Sequence, residues 1–143
     1  MKVFWDSNLF IYLWEGTPVR RRQIDALRAF HDKQGQWVTT STLTVAEVLV
    51  GPLKRGSRDT ARRYLETLNK LAPLPFGIQA ASRFARLRAV NPALKPPDAV
   101  QLASALAGGC TGFITNDRRL ADLRDTGSLR IDTPDGWLKT GTR

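Results

Sequence analysis

Short apolar runs of strand character alternating with helical stretches predict an α/β chain, a single-domain α/β/α sandwich around a mainly parallel central sheet. Three observations carry this prediction. Strand-like runs at Lys2–Trp5, 37–40, 111–115 and 129–131 are mostly separated by helical pattern, and such spacing demands crossover connections and parallel pairing. The 143 residues, 42% of them hydrophobic, suffice for one core spanning 1–143 and leave no room for a second. The segment DAVQLASALAGG is apolar on nearly every side, which suits a helix packed inside a layered fold.

The elements follow in order. After the first strand, residues 7–14 read as a helix with more apolar surface than one core contact needs (Leu9, Phe10, Ile11, Tyr12, Leu13, Trp14), so it is expected to meet a second helix or another chain. Thr17 and Pro18 supply an N-cap and a first-turn proline, Ile24, Leu27 and Phe30, with Ala26, the buried stripe of the helix that follows, and Gly35 its end. Ser41 or Thr42 caps a helix carrying Glu47, expected to stop at Gly51-Pro52. Ser57 begins a helix with Ala61, Tyr64, Leu65, Leu68 and Leu71 on one side and Arg58, Arg62, Arg63 and Lys70 elsewhere. A brief extended piece surrounds Leu74, and a further amphipathic helix covers 77–91. Pro96-Pro97 then starts the apolar helix, which Gly108 and Gly109 close. Residues 117–123 read as a short helix before the last strand.

Twenty-two Lys and Arg against thirteen Asp and Glu give a formal net charge of +9, with Arg strongly favoured. The guanidinium fork matches phosphate oxygens, so the excess points to a polyanionic partner; a solubilising surface is the plainer alternative. Cys110 stands alone, which removes a disulfide framework and a thiolate zinc site and leaves a small core residue. His31, the single histidine, falls on the polar side of an Arg-rich helix and is expected at the surface, leaving no Ser-His-Asp or Cys-His machinery. No glycine-rich phosphate loop follows a strand, and Trp5, Trp14, Trp37 and Trp137 read as packing residues. No stretch approaches a membrane span and no signal peptide is recognised, so a soluble, reducing, cytoplasmic setting is expected.

Against this background four carboxylates are conspicuous: Asp6 in VFWDSN, Glu47 in LTVAEVLV, Asp98 in KPPDAVQLASAL and Asp117 in FITND. Burying an ionised carboxylate without a partner is costly, and few basic residues lie inside these apolar segments. A hard divalent cation on oxygen ligands accounts for all four together. Each also has a separate explanation. Asp6 and Asp117 are good N-caps, Asp98 sits where a helix dipole favours an anion, and Glu47 could face solvent, although Leu43, Val50 and Gly51 around it argue otherwise. In a parallel sheet, Asp6 and Asp117 follow strands directly and Glu47 lies a turn or two beyond another, so all three reach the carboxyl edge where ligands bind. Asp98 at a helix start would complete the cluster.

These blocks, in this order and over almost the whole chain, resemble those of the PIN-domain ribonucleases, and within them the small VapC-type toxins of type II toxin-antitoxin pairs. Asp6-Ser7-Asn8 is similar to the family's opening block, STLTVAEVLVG to its acidic helix motif, and DAVQLASAL and TND to its third and fourth blocks. Two departures stand out: the double proline before Asp98, and Gln101 where some members carry His. The resemblance implies an α/β/α sandwich, often a homodimer, cutting RNA with Mg²⁺ or Mn²⁺ under the restraint of a cognate antitoxin. Asp6 and Asp98 would then be direct metal ligands. Glu47 and Asp117 would act through water, at a second ion or on the attacking water's proton. Ser7, Asn8, Thr115 and Asn116 lie beside them and would orient carboxylates or touch the phosphate. A metal-dependent DNA nuclease, or an inactive PIN-like module that binds RNA or protein, remains the alternative.

Overall fold

The computed structural model describes residues 1–140, so the last three of the expected 1–143 domain lie outside the described residues. Four strands form one sheet in the order β2-β1-β3-β4, all parallel: β1 (Lys2–Trp5), β2 (Trp37–Thr39), β3 (Gly112–Ile114) and β4 (Arg130–Asp132). Val3 is in register with Val38 on one side and Gly112 on the other, and Gly112 in turn with Arg130. Around the sheet lie α1 (Ser7–Glu15), α2 (Pro18–Gln34), α3 (Thr42–Lys54), α4 (Arg58–Asn69), α5 (Ile78–Val90), α6 (Pro96–Ala107) and α7 (Pro134–Thr140). A 3-10 turn at Arg118–Asp122 links β3 to β4.

Strand alternation splits the core into two layers. Phe4 and Phe113 point to one face, where their rings stack 5.0 Å apart and meet α5 and α6 through Leu87, Leu102 and Ala99. Val3, Trp5 and Ile114 point to the other, against Leu9 and Phe10 of α1, Ile24 and Leu27 of α2 and Trp137 of α7. Gly112 is required here, because a Cβ on it would come within 2.4 Å of the Trp137 ring. Ala99, Gln101, Leu102, Ala103, Ser104 and Ala105 of α6 are all buried, as an all-round apolar helix must be.

Several expectations need correction. His31 is fully buried rather than on the surface: Trp5 Nε1 donates to its Nε2 at 3.0 Å and Gln36 Oε1 lies 2.7 Å from its Nδ1. Its spacing from Ile24 and Leu27 places it on the buried stripe of α2, which the many charged neighbours of that helix obscured, and its partners come from β1 and from the turn after the helix. Ala26 and Leu65 are exposed, leaving Ile24 and Leu27, and Ala61 and Leu68, as the buried stripes. Trp37 is 74% exposed, since β2 is an edge strand and Trp37 stands at its first position, on the rim of an open cleft. Helix α3 runs through Gly51-Pro52 to Lys54; the ring removes one backbone donor, yet burial of Pro52 holds the last turn in place. Ser41 is the residue that caps this helix, accepting from Thr44 N at 3.1 Å. Ser57 makes no capping bond and its hydroxyl meets Thr60 instead. Helix α7 had no counterpart among the expected elements.

Part of the surplus apolar surface of α1 is covered within the chain, while Phe10, Leu13 and Trp14 also line an open cleft. Trp14 stacks on Tyr64 of α4 at 4.5 Å and Arg20 of α2 lies 4.0 Å above the Tyr12 ring. The second helix anticipated for α1 is therefore present.

Candidate active site at the carboxyl edge of the sheet

Asp6 leaves β1 at the centre of the sheet. Its N–H donates to Ile114 O at 3.0 Å, extending the ladder by one bond, and its carboxylate caps α1 by accepting from Ser7 N at 2.8 Å. Capping is not its whole role, because two side chains from elsewhere also converge on it. Thr115, which follows β3, donates its hydroxyl to Asp6 Oδ2 at 2.8 Å, and Gln101 of α6 reaches Oδ1 at 3.4 Å. Thr115 Oγ1 in turn accepts from Asn8 Nδ2 at 3.3 Å and Asp117 N at 3.1 Å, so one buried hydroxyl ties the first and last of the sequence blocks together.

Glu47 projects from α3 and accepts from Ser7 Oγ at 3.3 Å. Asp98 occupies the third residue of α6, where Pro96 and Pro97 fill the first two positions without loss, since those N–H groups lack helical partners anyway. Gln101, three residues on and on the same side, links this helix to the start of α3: its Nε2 donates to Thr44 Oγ1 at 2.8 Å and its Oε1 takes a short hydrogen bond from Ser41 Oγ. The amide thus fixes α6, α3 and Asp6 relative to one another.

Burial pushes the Asp6 carboxyl above the usual range against the opposing pull of Thr115, and Asp98 raises it further. Glu47 is raised by burial and then by Asp6 and Asp98. Asp98 is raised by burial and by Asp117, with Arg119 and Lys95 opposing. The four groups therefore form one repelling set. Asp117 differs from the other three: it caps the 3-10 turn and is gripped by Arg119, Nε at 2.9 Å and Nη2 at 2.7 Å, which holds its pKa below the usual value.

Among the described residues, ion pairs leave out Asp6, Glu47 and Asp98, and no three His, Cys, Asp or Glu side chains are grouped tightly enough to chelate one ion as they stand. The chemistry of the donor set still suits a hard cation. Three carboxylates lack a basic partner, and Asn8 Oδ1 beside them is a buried oxygen without a donor. Asn116 Nδ2, next to Asp117, is a buried donor without an acceptor. The sequence pattern assigned no site role to Thr44 or Arg119, and to Ser41 only that of a candidate helix cap. The available signals were a lone Gln on an apolar helix face and an Arg two residues beyond a capping Asp.

The fold and this edge define an α/β/α domain with an acidic site at the carboxyl end of a parallel sheet. The chain belongs to the PIN-domain family, a family of nucleases, whose model matches residues 3–125. Among solved structures it is similar to a chain of VapBC2 from Rickettsia felis bound to a promoter DNA fragment, at 15% identity and TM-score 0.69, covering 93% of this chain and 98% of that one. It is also similar to a toxin-antitoxin complex from Klebsiella pneumoniae at 25% identity and TM-score 0.64, covering 89% and 94%. A third likeness is VapBC-5 of the VapBC toxin-antitoxin family from Mycobacterium tuberculosis, at 26% identity and TM-score 0.59, covering 92% and 98%. No curated protein sequence gives a significant match. No helix among the described residues is long and apolar enough to cross a membrane.

Proposed function

We propose that this protein is a divalent-metal-dependent endoribonuclease, the toxin of a type II toxin-antitoxin pair, acting through Asp6, Glu47, Asp98 and Asp117. The observation that carries the reading is the set Asp6, Glu47 and Asp98: three carboxylates from a strand end and two helices, raised by burial and mutual repulsion, with no basic side chain paired to them. Asp6 and Asp98 would hold Mg²⁺ or Mn²⁺ directly, with Glu47 and Asp117 completing the site. The bound ion would supply an activated water and disperse charge on the phosphoryl oxygens.

The chain's own residues have defined tasks. Thr115 and Ser7 N–H hold the Asp6 carboxylate in one orientation through 2.8 Å bonds, and Gln101 keeps α6 at a fixed distance from it. Glu47, with its raised pKa, is suited to accept a proton from the attacking water. Asn116 Nδ2, a buried donor without an acceptor beside Asp117, would have to turn outward to donate to a phosphate oxygen. The net charge of +9 draws a polyanion to the domain.

The antitoxin, by this reading, covers apolar surface left open by the fold. A cleft of about 490 Å³ lined by Phe10, Leu13, Trp14 and the exposed Trp37 offers such a seat. A homodimer would bury other exposed residues, Ile78 and Leu53 among them. A second reading, an RNA-binding module without cleavage, draws on the pairing of Asp117 with Arg119, which leaves one corner of the site engaged.

Purified protein incubated with total cellular RNA, and separately with DNA, in Mg²⁺ and in EDTA tests the choice. New RNA ends are expected in Mg²⁺ alone, and Asp98→Asn should reduce their rate by a factor on the order of 100 or more. Cleavage that survives excess EDTA sinks the metal-dependent reading, cleavage of DNA alone assigns the other substrate, and intact RNA in every condition favours the binding module.

A further inference from the structure

A cleft of about 330 Å³ opens between the turn joining α5 to α6 and the 3-10 turn, with Asp98 and Asp117 on its site-facing side. Its wall is apolar, built from Ala93, Leu94, Leu120 and Leu123 among others, and Lys95 and Arg119 bring two cations to it. We propose that this cleft receives one nucleotide of the single-stranded substrate beside the acidic cluster, its base against the apolar wall and its phosphate on Arg119 and Lys95. The proposal rests on the nuclease reading above and adds to it where a nucleotide next to the reacting phosphate lies.

Three features select this occupant. The volume lies at the low end of the roughly 300–1,000 Å³ typical of ligand sites, which suits one nucleotide and not a stacked pair. Arg119 spends two of its five N–H donors on the Asp117 carboxylate, so three remain to meet phosphate oxygens. Its side chain is largely exposed and can turn toward a ligand without unpacking the core. Asn91, the one amide in the lining, is already used: Nδ2 donates to Leu87 O and Arg124 O, and Oδ1 accepts from Arg124 N, each at 2.9 Å. The lining also lacks an aromatic ring, so the base is held by shape and apolar contact and its edges are not read by these side chains. The larger cleft near Trp37 is less suited, because Trp37 is in register with Lys2 at the opposite end of the sheet from Asp6.

Binding can be followed without turnover. Isotope-labelled protein in EDTA is titrated with adenosine 5′-monophosphate, uridine 5′-monophosphate and inorganic phosphate while amide shifts are recorded. Both nucleotides should move Ala93, Leu94, Leu120 and Leu123 with similar affinity, and phosphate should move only the neighbourhood of Lys95 and Arg119. Ala93→Trp and Val90→Trp, at exposed positions of the wall, should each weaken nucleotide binding about tenfold while phosphate binding holds. Identical shift maps for nucleotide and phosphate would overturn the proposal. So would nucleotide binding at wild-type strength in both folded Trp variants, or shifts confined to the neighbouring cleft lined by Arg118 and Asp132. A protein that cuts RNA yet shows no shifts here loses the subsite and keeps the nuclease reading; one that binds nucleotide here and never cuts keeps the subsite and loses the nuclease.

Discussion

Replacing Thr115 by Val exchanges a buried hydroxyl for a methyl of nearly the same size, and the consequences can be worked from its three bonds. The hydroxyl donates to Asp6 Oδ2 at 2.8 Å, a charge-assisted bond worth about 1.5–3 kcal/mol when the carboxylate is ionised. It also accepts from Asp117 N at 3.1 Å, and leaving that partly buried donor unpaired costs about 1 kcal/mol, the low end of the usual range. The weak 3.3 Å contact from Asn8 adds little. A loss of about 3 kcal/mol at neutral pH without metal follows, which lowers the melting temperature by about 6–12 °C in a domain of this size. The sign of the pH dependence is fixed. The folded-state pKa of Asp6 is raised, so the stability linked to its protonation is present below the unfolded value and is lost as pH rises through the folded one. Removing the Thr115 donor raises that pKa further, so the gap between wild type and variant should widen from acid toward neutral pH. Thermal melts in EDTA between pH 4 and 8 measure it, with Thr115→Ser as the rescue. A gap of constant size across this range would show that the bond does not serve an ionised Asp6, and the electrostatic account of the site would fail with it.

Neutralising Asp98 should act in the opposite direction. Burial and Asp117 raise its pKa, so apo stability is lost as pH rises through it, and Asp98→Asn should raise the apo melting temperature by about 2–4 °C for each kcal/mol of repulsion relieved. Mg²⁺ should then stabilise wild type more than the variant; a variant melting well below wild type in EDTA would make Asp98 a structural cap. His31→Phe removes the acceptor for the buried Trp5 indole N–H and should cost about 1–3 kcal/mol in urea melts. Burial lowers the His31 pKa despite Gln36 and Asp32, so its stabilising effect is present above the ordinary histidine pKa and is lost as pH falls through the folded value. If the wild type loses no more stability than the Phe variant on acidification from pH 7, His31 is not buried in its neutral form.

Strands, helix order and the buried face of α6 were legible because they depend on local periodicity and on glycine and proline placement, which the chain states directly. Asp6, Glu47, Asp98 and Asp117 were legible as carboxylates in apolar settings, a local anomaly of burial cost. What surrounds them was not. Gln101 meets Thr44 and Asp6 across separations of 57 and 95 residues, and a lone Gln on an apolar helix states a need for partners without saying which. His31 follows Ile24 and Leu27 on the buried stripe of its own helix, a position the arginines around it mask, and its partners from β1 and the turn after α2 are not written in that local pattern. The pairing of Arg119 with Asp117 depends on a 3-10 turn where an ordinary helix was expected. Sequence by itself determined which residues pay an electrostatic cost and along which elements they lie. Only the tertiary structure decided which side chains offset that cost, because hydrogen bonds and charge pairs act over a few ångströms in space whatever the distance along the chain.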